Sequence, residues 1–239
     1  MAELGRATGV RARAREQMTI EILDAAREQL AQQGASGLSL RAVAREVGMV
    51  SSAIYRYFDS RDALLTALIT DAYNSLGEAV ESAERSVSRD DLLGRWRASA
   101  TAVRTWALEH PHLYALVYGS PVPGYAAPQD TVGPATRGIR VLADILVDLV
   151  QSGGIAHDPA PESLPPRAAA GMVPLREFLG APVPTEMAVR ALMAWSGIFG
   201  AVSFELFGQL QGAVEPDLRA DVYAVEVDRM ASWLGLPDG

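Results

Sequence analysis

Cysteine is absent from this 239-residue chain, and so is lysine. The first absence excludes disulfides and every cysteine-ligated zinc or iron–sulfur centre. Histidine is limited to His110, His112 and His157, with Pro111 between the first two, a pattern of helix break and not of metal-ligand convergence. No metal site and no cofactor are expected. The N-terminus has no apolar leader, and the longest uncharged part of the most hydrophobic helical stretch, residues 191–204, is too short to span a bilayer, so a cytoplasmic chain without membrane attachment is expected. There is no G-x-x-x-x-G-K-[ST], no H-E-x-x-H and no serine nucleophile elbow, and the chain is not expected to be an enzyme.

What is present is a chain of 49% hydrophobic residues, enough for a small head and one larger body. The net charge of −8 is unevenly spread. Residues 1–61 hold nine arginines against seven acids, a balance of +2, and the remainder holds twelve against twenty-two, a balance of −10. The basic end is where an anionic partner belongs. Arg6, Arg11, Arg13 and Arg15 form a sparse basic arm over residues 1–18, read as flexible, which could follow a DNA backbone or enter a minor groove.

The segment with most information is residues 38–58, LSLRAVAREVGMVSSAIYRYF. Ser39 sits at an N-cap position, Leu40, Val43, Ala44 and Val47 follow at helical spacing, and Gly48 ends the helix. A second helix is predicted to open at Val50, Ser51 and Ser52. Ala53, Ile54 and Phe58 can face a small core, leaving Ser51, Ser52, Tyr55, Arg56 and Tyr57 outward with groups that bond phosphates and base edges. Upstream, residues 19–33 place Ile22, Leu23, Ala26 and Leu30 on one face of a third helix stopped by Gly34. Downstream, Asp59 or Ser60 caps a long helix. Arg61 in its first turn opposes the helix dipole, which makes sense where a phosphate binds.

Over residues 19–68 this glycine turn, the I-Y-x-Y-F sequence and S-R-D-A-L-L resemble the TetR family of transcriptional regulators. The resemblance implies Ser51, Ser52 and Tyr55 in the major groove, Ser39, Tyr57 and Arg61 on phosphates, and a helix from Ser60 linking a DNA-binding head to a ligand-binding body. Val50 stands where the family often has a hydroxyl residue, so packing or a thymine-methyl contact is expected there. The organisation is then all-α: a basic arm (1–18), a three-helix helix-turn-helix head (19–61) and a helical effector-binding and dimerisation domain (62–239).

Within the body, helices are predicted over 92–109, 112–118, 134–151, 185–211 and 216–234, with loops at 119–133 and 152–166. Arg140 and Asp144 read as a surface pair, not as catalytic groups. The last helix has two apolar stripes, Leu218, Val222 and Val225 on one side and Tyr223, Val227, Met230 and Leu234 on the other, and the surplus suggests a second subunit. Gly197, Gly200, Ala201 and Gly208 on the preceding helix favour close approach. The resemblance implies a homodimer through a four-helix bundle, with Gly197, Ala201, Tyr223, Val227 and Met230 in the interface. It also extends to one C-terminal subtype through residues 110–114 (HPHLY) and 195–208 (WSGIFGAVSFELFG), although Phe199 stands where that subtype commonly has histidine. Trp106, Tyr114, Tyr118, Met172, Phe178, Trp195 and Phe199 lie on segments that in this family surround a cavity, suited to a small, moderately hydrophobic effector. The expected function is a bacterial repressor that binds a palindromic DNA operator as a homodimer and is released by that effector. Two alternatives stay open: a DNA-binding protein with no small ligand, and a helical binding or enzymatic protein whose head binds no DNA.

Overall fold

The computed structural model describes residues 2–153, 164–180 and 183–237, with side chains from residue 12 onward. Among these residues the chain is all-helical, as the sequence predicts. It forms two compact units, one of residues 1–72 with 112–132 and the other of residues 73–111 with 133–239.

In the first unit α1 spans Ala2–Gly37 and is interrupted at Gly34, where φ is 69°. The predicted start at Thr19 is therefore too late. Nothing between residues 2 and 18 stops a helix, and alanine, arginine and glutamate there are strong helix formers. Helix α2, Leu40–Glu46, buries Leu40, Val43 and Ala44. It ends at Gly48, whose φ of 69° needs a residue without a side chain, and the Met49 and Gly48 amides donate to the Ala44 and Arg45 carbonyls at 2.7 and 3.2 Å. The predicted second helix is not an α-helix. Residues 51–57 form successive turns with a single 3₁₀ turn at Ile54–Arg56, closed by bonds from Ala53 N–H to Val50 and from Arg56 N–H to Ala53. A segment this short, containing two serines, Ile54 and two tyrosines, gains little from α-helix propagation, and burial of Ile54 and Phe58 fixes it instead.

Helix α3, Arg61–Arg85, starts where the Ser60 hydroxyl accepts the Ala63 amide at 3.1 Å. Its first half buries Leu64, Leu65, Leu68 and Ile69 in the first unit, to which α5 (Pro111–Tyr118) adds Leu113 and Tyr114.

The second unit holds the rest of α3 with α4 (Leu92–Glu109), α6 (Val132–Gln151), α7 (Pro166–Gly171), α8 (Val173–Leu179), α9 (Thr185–Leu206) and α10 (Arg219–Leu234). Helix α9 ends five residues before the predicted Gln211, and Phe204 carbonyl bonds then close a turn through Gln209 and Leu210. At 22 residues α9 is long and apolar enough, by length and composition alone, to cross a membrane, and one face of it, with Ala191, Ala194, Ile198 and Val202 buried, packs in the second unit with α4 and α10. Arg140 and Asp144 form no ion pair. The Arg140 guanidinium lies 3.8 Å from the Phe178 ring centroid and donates to the Phe178 carbonyl, and burial raises the Asp144 carboxyl above its ordinary range.

Helix α6 is tied to the second half of α3 by Arg137, which donates to both Glu81 oxygens at 2.8 Å and to Asn74 Oδ1 at 3.0 Å. The Arg137 hydrogen bonds hold the Glu81 carboxyl below its ordinary value of 4.5. A depressed folded-state value stabilises the fold fully above the unfolded value, and the gain is lost as pH falls through the folded one. Arg137→Ala should therefore lower stability by about 1–2 kcal/mol at neutral pH. In urea titrations the gap between parent and variant should close as pH drops below 4.5; a gap unchanged at pH 3 would show that Glu81 is not the partner that matters.

Candidate DNA-binding surface and body cavity

The head surface is built by what its core holds in place. Ile54 and Phe58 point inward, so Ser51, Ser52, Tyr55 and Arg56 are exposed, with Tyr55 retaining 47% of its surface. Val50, at 72%, is the most exposed large apolar side chain among the described residues. Tyr57 is half-buried beneath Arg15, whose guanidinium lies 5.6 Å from the ring centroid and donates to the Arg56 carbonyl at 3.0 Å. Part of the basic arm is thus packed against the turn, while Arg6 and Arg11 fall where only the backbone is described.

Two side chains expected on phosphates have structural duties. The Ser39 amide donates to the buried Gln29 Oε1 at 2.6 Å, which fixes the entry to α2, and the Ser39 hydroxyl makes no cap bond. Arg61 donates from Nε to the Leu38 carbonyl at 3.1 Å and from Nη2 to the Ala35 carbonyl at 2.7 Å. These bonds satisfy carbonyls at the broken end of α1, which explains an arginine at a helix N-terminus without a phosphate. Sequence reasoning missed Arg41 and Arg45. They lie four residues apart on the exposed face of α2, between the buried Leu40, Val43 and Ala44, and have no acidic partner among the described residues. Their i, i+4 spacing was visible in the sequence.

The second unit contains a small, partly open apolar cavity of about 30 Å³ between α4, α6, α8 and α9, with Trp96, Leu142, Leu146, Leu175, Phe178 and Trp195 in its wall. Of the seven side chains expected around a cavity, Phe178 and Trp195 line this one. Trp106 instead donates to Ser75 Oγ at 2.9 Å and stacks on His110. Tyr114 and Tyr118 belong to the first unit, where their rings are 5.0 Å apart. Phe199 meets Trp195 edge-on at 6.4 Å, and Met172 sits at the junction of α7 and α8. Trp96, missed from sequence, is carried inward with Leu92, Leu93 and Ala100 on the buried face of α4. Among the described residues no cluster of potential metal ligands occurs, and His157 lies outside them.

The apolar stripes of α10 are assigned the opposite way round from the sequence expectation. Tyr223 and Val227 are buried within the chain: Tyr223 donates its hydroxyl to the Ala100 carbonyl at 2.8 Å, and Trp96 Nε1 donates to the Val227 carbonyl at 3.0 Å. Gly197 allows Met230 to approach, since a Cβ there would come within 2.9 Å of Met230 Cε, and Ala201 is half-buried nearby on α9. The stripe left exposed is Leu218, Val222 and Val225, extended by Trp233, with Phe204 and Phe207 exposed around the end of α9.

A glycine turn that presents serine, tyrosine and arginine from a three-helix core, followed by a helical body, defines a helix-turn-helix DNA-binding regulator. The chain belongs to the TetR family: residues 22–68 match "Bacterial regulatory proteins, tetR family" and residues 96–230 match "Tetracyclin repressor-like, C-terminal domain". It is 43% identical over 204 residues to the HTH-type transcriptional regulator Rv1816 of Mycobacterium tuberculosis, covering 84% of this chain and 86% of that one. Among solved structures it is similar to SCO4313, with a TM-score of 0.75 and 37% identity over 92% of this chain and 98% of that one. It is also similar to a protein of unknown function from Rhodococcus sp. RHA1, with a TM-score of 0.68 and 26% identity over 91% and 95%. The family and these relatives place the protein among transcriptional regulators and not among enzymes.

Proposed function

We propose that the protein is a cytoplasmic repressor that binds a palindromic operator as a homodimer and releases it when a small, moderately hydrophobic molecule enters the body cavity. The observation that carries the DNA reading is the exposed row Val50, Ser51, Ser52, Tyr55 and Arg56 on a turn anchored by Ile54 and Phe58, beside the unpaired Arg41 and Arg45. Serine and tyrosine hydroxyls can read base edges, Val50 suits a thymine methyl, and the arginines together with Tyr57 hold phosphates. Ser39 can add its free hydroxyl. Arg61 is set apart from the phosphate contacts because its Nε and Nη2 are committed to carbonyls inside the head and its Nη1 lies near Asp62.

Dimerisation is assigned to the exposed stripe of α10 with the end of α9, and two-fold symmetry there matches two half-sites. Helix α3 contributes residues to both units and is the element through which an occupied cavity can bias the heads. Selection from random duplexes supplies the operator, and anisotropy titrations at several salt concentrations test the assignments. Arg41→Ala, Arg45→Ala and Arg56→Ala should weaken every duplex alike and each reduce the salt slope by about one. Ser51→Ala and Tyr55→Ala should reorder duplexes by about 1–3 kcal/mol at the bases they meet. A Tyr55→Ala protein with the parent's rank order of duplexes takes Tyr55 off the bases; salt-independent binding removes the DNA surface altogether.

A further inference from the structure

The turn that presents Ser51, Ser52 and Tyr55 is held from outside itself. It is closed by short-range bonds, among them those from the Ala53, Arg56 and Tyr57 amides to the Val50, Ala53 and Ile54 carbonyls, and it lacks the continuous ladder that stiffens an α-helix. At its end the Arg56 carbonyl is met by a side chain and not by a following amide. Among the described residues its partner is Arg15 Nη2 at 3.0 Å, 41 residues earlier in the chain. The same guanidinium lies 5.6 Å from the centroid of the half-buried Tyr57 ring. Arg15 is itself fixed, because α1 runs unbroken through it and the Thr19 hydroxyl donates to the Arg15 carbonyl at 2.9 Å. The first buried apolar side chain of α1 is Ile22, so the helical turns before it add little to the core of the head. They do bring Arg15 to the turn.

We infer that Arg15 is a positioning residue for sequence reading: by clamping the Arg56 carbonyl and the Tyr57 ring it orients the turn for base contacts, and it is not one of the phosphate contacts expected of the basic arm. This role rests on the turn being the DNA-contacting surface. Both Arg15 contacts are exposed, where a cation gains little in water. A duplex laid over the turn excludes water and strengthens them, so their effect belongs to the complex more than to the free head.

Anisotropy titrations of the full-length chain with the selected operator and a shuffled duplex, at several salt concentrations, separate the two roles. Arg15→Ala should cut the preference for operator over shuffled duplex about five- to tenfold for each half-site, the size of one exposed cation–π contact or one net hydrogen bond. The salt slope should change by less than about half. A phosphate contact gives the reverse, with every duplex weakened alike and the slope reduced by about one. In a double-mutant cycle Tyr55→Ala should remove most of the Arg15→Ala effect, because a turn that no longer reads bases gains nothing from being oriented. The thermal midpoint without DNA should stay that of the parent. Arg15→Met, which keeps an apolar stem over the ring and removes the donors, should show the same loss of preference and serves if the alanine variant does not fold. An unchanged preference, a slope reduced by about one with the duplex order intact, losses additive with Tyr55→Ala, or a lowered midpoint would each overturn the assignment. A parent protein that binds no duplex removes the DNA surface and this role with it, whereas a discriminating parent beside an equally discriminating variant removes only the role of Arg15.

Discussion

Arg95→Ala should destabilise the second unit by about 3–5 kcal/mol, because it removes the fully buried cation from a cluster of partly buried carboxylates. Arg95 retains 1% of its side-chain surface, donating from Nε to Glu84 at 2.7 Å and from Nη1 to Asp148 at 2.8 Å. It also bonds the Arg89 carbonyl at 3.1 Å. One guanidinium therefore ties α4 to the end of α3 and to α6. Truncation leaves Glu84, 15% exposed, facing the vacated space without its close cation, while Asp148 keeps Arg89 at 2.8 Å. Replacing the set with apolar residues, as in Arg95→Met with Glu84→Leu and Asp148→Leu, should recover most of the loss. The freed Arg89 is 68% exposed and can return to water. Urea titration reads both effects as a change in midpoint at constant slope. A single variant within 0.5 kcal/mol of the parent would mean that water enters the cluster and that Arg95 is not a structural bolt.

That cluster shows why some features were legible in the sequence and others were not. Helix α4 was read with its observed limits, Leu92–Glu109, because both ends are written locally: Asp91 accepts the Gly94 amide at 2.7 Å, and His110-Pro111 stops the helix. The turn at Gly48 was legible for the same reason. Arg95, by contrast, looks like any polar residue on a helix, and only the arrival of Glu84 and Asp148 from distant positions makes it an interior group. The cavity was partly legible because its wall is aromatic, yet a sequence contains the side chains that fill space and not the space left over; Trp106 and Tyr114 are equally aromatic and pack elsewhere. The α10 stripes were found by periodicity, but both are apolar, and periodicity does not say which one the rest of the chain covers. The Trp96 indole and the Ala100 carbonyl decide that. The two stripes are adjacent in sequence and opposite in consequence.

Charge placed on either stripe should therefore give two different failures, and the contrast is the sharpest test of assembly. Val225 retains 58% of its surface and Val227 2%. Two residues along a helix turn the side chain through about 200°, so the two valines face opposite ways. Val225→Arg should stay folded, losing only the stability that dimerisation adds, since arginine there meets water in the monomer. In the proposed dimer it meets its own copy across the two-fold axis, and like charges desolvated together should split the assembly. Light scattering at low micromolar concentration should then give the mass of a single chain. Operator affinity should fall by about a hundredfold as the advantage of holding two heads together is lost. Val227→Arg should fail earlier, placing an unpaired guanidinium against the Trp96 contact inside the chain, with aggregation or a loss of about 3–5 kcal/mol. A dimeric Val225→Arg protein of parental stability would move the interface off α10, and the exposed Phe204 and Phe207 at the end of α9 would be the next residues to charge.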